Sequence, residues 1–297
     1  MRAADELGYR PNVLARAMIT GKSKIIGLVV AYFENQFYPL AVEKLSVALQ
    51  EQGYHVLVFM ASNTSENIQT VMKEILDYQV DGIVLASVSM SSDLAARCQD
   101  HGIPVVLFNR EQDDDRLCSV TTDNYQGGFE IGQHLAATDH ERIGYIAGFE
   151  GASTQRDREQ GFIDALEDCG VSLASRTVGA FDHERTRAAA LEMFEPADCP
   201  DTVFVCNDHM AFIVMDVIRS ELKLRIPEDI SIAGFDDVPI AAWPAYNVTS
   251  YRQPINRMVS QTVSTMLARI SDASSMADKI KLQGELIVRG STRSVRT

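Results

Sequence analysis

The sequence predicts an α/β protein of two similar lobes, each a parallel sheet wrapped by helices, with a ligand cleft between them. Three observations carry this. Short apolar runs are continuous rather than alternating, as in strands buried on both faces. They alternate with longer amphipathic stretches, and the alternation restarts halfway along the chain. At 297 residues the chain also exceeds the usual size of one compact domain.

The first run is Ile25-Ile26-Gly27-Leu28-Val29-Val30, followed by a helical pattern over residues 38–52. Strands are expected over 55–60, 82–86 and 104–108, with helices over 66–78 and 93–101. The second lobe repeats the order with a helix at 125–137, a strand at 143–147, a helix at 156–168, a strand at 178–181, a helix to 194 and a strand at 202–206. A helix at 210–222, a strand at 230–235, a helix at 254–271 and an apolar run at 284–288 complete it. The expected division is an N-terminal arm, 1–23; a first lobe, 24–123 plus about 251–279; and a second lobe, 124–250 plus about 280–297. Ligands of open parallel sheets bind beyond the carboxyl ends of the strands. The residues just after the apolar runs are polar here: Glu34–Tyr38, Asn109-Arg110, Thr122-Asp123, Ser153–Arg158, Asn207-Asp208 and Asp236-Asp237.

The formal charge of −14 excludes a surface built throughout for nucleic acid, which rewards positive charge through counterion release. Residues 1–24 stand apart: Arg2, Arg10, Arg16, Lys22 and Lys24 against Asp5 and Glu6 give +3, leaving −17 on the rest. This reads as a basic arm on an acidic body. Five scattered cysteines lack the spacing of a zinc or redox motif, and reduced thiols are expected. The opening MRAADELGYRP has no apolar signal core, and no run approaches a membrane span, so a cytoplasmic protein is expected. Thr20-Gly21-Lys22-Ser23 fails as a phosphate loop because Arg16 stands where the first glycine is needed. The six histidines show no pairing at ligand spacing, so no metal and no cofactor is expected.

Glu6-Leu7-Gly8-Tyr9-Arg10-Pro11-Asn12, Ala15-Arg16, Thr20-Gly21-Lys22-Ser23, Val80-Asp81-Gly82-Ile83-Val84 and Pro104–Arg110 stand in one order with Arg158, Gly161-Phe162, Cys206-Asn207-Asp208 and Pro227–Asp237. From end to end these resemble the LacI family of transcription regulators. The resemblance implies a two-lobed effector-binding core of the periplasmic-binding-protein type, a homodimer, and operator DNA reached through a hinge and a helix-turn-helix head. It places only the end of the head's last helix, about Arg2–Gly8, in this sequence. In the hinge, Asn12 caps a short helix and Ala15 permits close approach of two such helices. Arg16 meets phosphate, and Met18 stands where the family usually has a leucine that wedges into the minor groove. So short a helix folds only when coupled to DNA and to its twin.

The resemblance also implies an effector pocket. Phe37, Tyr38, Asn109, Arg110 and Asp123 come from the first lobe, and Thr154, Arg156, Arg158, Phe181, Asn207, Asp208, Phe235 and Asp236 from the second. Arg158 and Asp236 lead, because a guanidinium and a carboxylate can each hold two vicinal hydroxyls. The structural alternatives are a loop-to-loop bridge for that pair, helix capping for Asn207-Asp208, and the core for Phe235. The expected effector is a sugar or sugar derivative, with a purine as the competing class. The expected activity is regulation, most simply repression, with no catalysis. The alternative is an exported sugar-binding receptor for transport or chemotaxis, which would need a signal peptide and has no use for residues 9–18.

Overall fold

A computed structural model describes residues 22–61, 65–88, 91–138, 140–272 and 277–294. The expected hinge residues Asn12, Ala15, Arg16 and Met18 lie outside them. The chain forms two six-stranded sheets. The first contains β1 (Ile25–Val30), β2 (His55–Met60), β3 (Gly82–Ala86), β4 (Val105–Phe108), β5 (Cys118–Thr122) and β11 (Lys279–Leu282) in the order β11-β5-β4-β3-β1-β2, all parallel. The second contains β6 (Ile143–Ala147), β7 (Leu173–Val178), β8 (Thr202–Val205), β9 (Ser231–Asp236), β10 (Thr249–Arg252) and β12 (Glu285–Ile287) in the order β12-β10-β9-β8-β6-β7. Only β12 runs antiparallel to its neighbour. Every residue of β1, β3, β4, β6, β8 and β9 is buried, which is why these sequences are mostly apolar, with Thr202, Ser231 and Asp236 as the polar exceptions.

The helices are α1 (Phe37–Glu51), α2 (Ser65–Asp77), α3 (Ser92–Asp100), α4 (Asn124–Ala136), α5 (Ser153–Asp168), α6 (His183–Phe194), α7 (Asp208–Asp216) and α8 (Ile255–Ser271). Asp123, Asp182 and Asn207 start α4, α6 and α7 by accepting backbone N–H groups. One buried apolar cluster runs from Leu28 and Phe37 of the first lobe into Val205, Met210 and Val238 of the second.

The chain changes sheets after β5, β10 and β11, so β10 extends to Arg252 and β11 to Leu282. The crossings expected at about 251 and 280 therefore come slightly later. The three crossing strands are tied together. Thr122 Oγ1 donates to Gln253 Oε1 at 2.6 Å, the Asp123 N–H donates to the Leu282 carbonyl at 2.9 Å, and the Gly284 N–H donates to the Tyr251 hydroxyl at 3.1 Å.

Helices α4 and α5 pack unusually closely, and two glycines permit it. A Cβ on Gly161 would lie 2.0 Å from the Tyr125 carbonyl oxygen, and one on Gly128 would lie 2.1 Å from the Arg158 carbonyl oxygen. Neither backbone atom can yield as a side chain would. Gly161→Ala is expected to cost about 3 kcal/mol, at the upper end of overpacking penalties. Urea unfolding checks this; a loss near zero would show that the helices part freely.

Candidate functional site

The first lobe presents its polar groups just beyond β1, β3 and β4. Asn35, just before α1, accepts the Phe37 N–H at 3.0 Å, and its side-chain amide donates across the cleft to Asp236 Oδ2 at 2.9 Å. Phe37 is buried and stacks on Phe108 with ring centroids 6.2 Å apart. Tyr38 meets Tyr32 edge-on at 5.4 Å, and its hydroxyl accepts from Asn109 Nδ2 at 3.3 Å. Arg110, only 4% exposed, donates through Nη2 to Ser87 Oγ at 3.2 Å. The remaining Arg110 nitrogens, Nε and Nη1, are buried without a hydrogen-bond partner, as is Asn109 Oδ1.

The second lobe answers with Arg158 and Asp236, 3% and 5% exposed. Arg158 Nε donates to Asn124 Oδ1 at 2.9 Å and Nη1 to the Cys206 carbonyl at 2.7 Å, while Nη2 stands 3.6 Å from Asp236 Oδ1. Its guanidinium lies 3.6 Å above the Phe235 ring. Asp236 also accepts from Gln253 Nε2 at 2.6 Å. The carboxylate thus joins the first lobe through Asn35, the crossing strands through Gln253, and the second lobe through Arg158. A cavity of about 300 Å³ between the lobes is lined by Phe37, Leu40, Asp236, Val238 and Gln253 together with Asp237, Arg252 and Arg289; Asp236 reaches it, but Asn109, Arg110 and Arg158 do not line it. Its volume is at the lower end of small-molecule pocket sizes.

Positive φ values cluster at the strand ends facing this region: Ser87 (63°), Asn109 (56°), Phe181 (61°), Asp236 (117°) and Asp237 (50°). For side-chain-bearing residues each costs on the order of 1–3 kcal/mol and is characteristic of ligand clamps.

Burial raises the Asp236 carboxyl, opposed chiefly by the Arg158 charge and then by Asn35 and Gln253. Burial raises Asp208 much further, and the charge of Asp236 adds to this. Burial also raises the Cys206 thiol, opposed by Arg158. A carboxyl raised in the fold stabilises it below the ordinary carboxylate pKa, and that stability is lost as pH rises through the raised value. Asp208→Asn is therefore expected to unfold at higher urea than the native protein at about pH 8, with the difference closing toward about pH 4. The replacement can still accept from the Val238 N–H and donate to Ser250 Oγ, the two partners Asp208 has now. A variant weakened equally at both pH values would contradict the assignment.

Of the residues singled out in the sequence, Phe37, Tyr38, Asn109, Arg110, Arg158 and Asp236 come together around the cleft. Thr154 is buried in the first turn of α5, and Phe181 is half-buried beyond β7 with its ring against Gly148. Five others are placed differently. Asp123 caps α4 by accepting the Gln126 N–H at 3.0 Å. Arg156 is exposed and pairs with its neighbour Asp157 at 2.9 Å. Asn207 caps α7 through the Met210 N–H at 3.0 Å. Asp208 fastens β10 and the turn after β9. Phe235 is fully buried against Tyr251 at 5.1 Å and forms the floor under Arg158. Sequence reading missed Asn35, Ser87, Asn124 and Gln253. Asn35 sat inside a segment already marked as polar; Gln253 follows a strand too polar to be read as one.

A family model described as periplasmic binding proteins and sugar binding domain of LacI family matches residues 23–288. The HTH-type transcriptional repressor PurR of Pasteurella multocida (strain Pm70) is 27% identical over 297 residues, covering 99% of this chain and 89% of that protein. The regulator CelR of Thermobifida fusca is 29% identical over 299 residues, covering 98% and 87%. A solved complex of a regulator CelR with cellobiose superposes with a TM-score of 0.82 at 27% identity, covering 98% of this chain and 88% of that one. The matched span contains both sheets and the cleft between them, and the chain belongs to the family of periplasmic binding proteins and LacI-type sugar binding domains.

Proposed function

We propose that this chain is the effector-binding and dimerisation core of a LacI-type transcription repressor whose operator affinity is set by a small polyhydroxylated molecule held between the lobes. The observation that carries the reading is one buried constellation supplied by both lobes: Asn35, Asn109 and Arg110 facing Arg158 and Asp236. Its groups converge as hydrogen-bonding partners rather than as a nucleophile with its base, which suits binding and not catalysis. Full-length similarity to regulators supports regulation over the exported-receptor alternative. No helix among the described residues is long and apolar enough to cross a membrane, and a cytoplasmic location is part of this proposal because operator DNA is the proposed target.

A ligand shifts lobe closure only through its differential affinity for the two closures. Asp236 is where that difference would be felt, since it holds Asn35 across the cleft and Gln253 at the crossings. In this reading closure acts on operator affinity through the hinge residues Asn12, Ala15, Arg16 and Met18, with Arg16 meeting phosphate and Met18 entering the minor groove. Titration with neutral sugars, sugar acids and purine bases tests the class. A purine binding in preference to every sugar would reject the sugar reading.

A two-fold operator needs a dimer. The surface proposed for it is on the first lobe: Val47 of α1 and the edge strand β2, whose Val58 and Met60 are exposed. The helix at 210–218 is not proposed for it, because Met210, Ile213, Val214, Val217 and Ile218 are buried. Sedimentation at micromolar concentration should give a dimer for the native chain and a monomer for Val58→Lys. A native monomer would contradict the proposal.

A further inference from the structure

Arg110 is a buried cation without an anion. Nη2 is held by the Ser87 hydroxyl and carbonyl, at 3.2 and 3.4 Å, while Nε and Nη1 have no partner. No ion pair among the described residues includes it. The acids around the cleft are engaged elsewhere: Asp236 with Arg158, Asn35 and Gln253; Asp208 with Ser250 and Val238; Glu111 with Lys281 at 3.0 Å; and Asp114 with Arg116 at 2.6 Å. Glu34 is exposed. An uncompensated guanidinium is costly to bury, and a fold keeps one where something outside the chain completes it.

The surroundings show that the position is built. Ser87, which holds Nη2, and Asn109, the residue before Arg110, both have left-handed backbone, and Asn109 Oδ1 is likewise buried without a hydrogen-bond partner. The Tyr32 hydroxyl feels the charges of both Arg110 and Asp236, so the two groups address one region from opposite lobes.

We propose that Arg110 receives a carboxylate of the effector, which makes the ligand a sugar acid, a uronate or aldonate, rather than a neutral sugar. This rests on the binding function proposed above and names its ligand class. A carboxylate accepts charge-assisted hydrogen bonds from a guanidinium, and Nε and Nη1 are the donors that Ser87 leaves for it. Asp236 with Arg158 takes hydroxyls at the other end. A bisphosphate is disfavoured by Asp236, and a neutral sugar would leave the Arg110 charge unanswered.

Matched pairs test the assignment by calorimetry on the full chain: D-glucuronate against D-glucose, D-galacturonate against D-galactose, and D-gluconate against D-glucitol. The expected result is that in at least one pair the acid binds about tenfold or more tighter than its neutral partner, equivalent to roughly 1.4 kcal/mol. Arg110→Gln should bring that pair within about twofold by weakening the acid alone, and Arg110→Lys should retain part of the preference. The native comparison stands even where a variant folds poorly. A neutral member binding as tightly as its acid, or Arg110→Gln weakening both members equally, would overturn the carboxylate assignment while leaving sugar binding intact. Binding by none of the six compounds, with a purine base bound instead, would overturn both.

Discussion

Arg158→Ala is expected to lower the unfolding free energy by about 3–5 kcal/mol, the range for removing one partner of a buried ion pair. The side chain is nearly inaccessible, so solvent does not replace what is lost. Its removal strands the Asp236 carboxylate, whose pKa is already raised by burial, and leaves Asn124 Oδ1 and the Cys206 carbonyl without their donor. It also uncovers the Phe235 ring. Because Asn124 begins α4 directly after the first crossing, the loss reaches the joint between lobes as well as the cleft. Urea unfolding followed by circular dichroism measures the effect. Arg158→Lys, which keeps the charge but not the fork, should fall between the two. A cost below about 1 kcal/mol, as for an exposed pair, would show that the contacts are dispensable.

Asp236→Ala is expected to weaken effector binding by about 2–5 kcal/mol, the cost of truncating one member of a buried hydrogen-bonded charge pair. Asp236 is the group through which Asn35, Gln253 and Arg158 meet, so its loss uncouples closure from the crossing strands as well as removing a hydroxyl acceptor. Asn35→Ala removes the cross-lobe bond and the acceptor for the Phe37 N–H, both on the first-lobe side, and should weaken binding less while leaving the second lobe intact. Calorimetry on both variants separates the roles. Equal and small losses would place the ligand away from Asp236.

The fold was legible where strands are buried on both faces and apolar, whereas β5, buried throughout but polar as CSVTT, was not anticipated. Ile25–Val30, Gly82–Ala86 and Ile143–Ala147 are continuous apolar runs because every residue is enclosed. The strands that escaped notice are polar or at sheet edges. In β10 the sequence TSYR hides a strand because Thr249 bonds Thr292 and Ser250 bonds Asp208, both inside the protein. In β7 the edge position permits LASRTV, and the apolar stretch at 178–181 that looked like a strand ends in a left-handed turn at Ala180 and Phe181. Arg158, Asp236, Asn109 and Arg110 were brought out by the family resemblance together with their place just after apolar runs. Residue type did not separate ligand-facing acids from capping ones. Asp123 and Asp236 both follow a strand, and only the three-dimensional arrangement shows one on the Gln126 N–H and the other on Asn35.

The central claim is that a sugar or sugar acid binds between the lobes through Arg158 and Asp236. The direct measurement is thermal unfolding of the native chain and of Asp236→Asn, each with the neutral sugars, sugar acids and purine bases in excess. At a hundredfold excess over Kd, binding adds about 2.7 kcal/mol, and each kcal/mol raises the melting temperature of a chain this size by roughly 2–4 °C. The expected result is such a rise for at least one sugar or sugar acid with the native chain, and its loss in Asp236→Asn. A rise of equal size in the variant, or a rise with purine bases alone, would contradict the account.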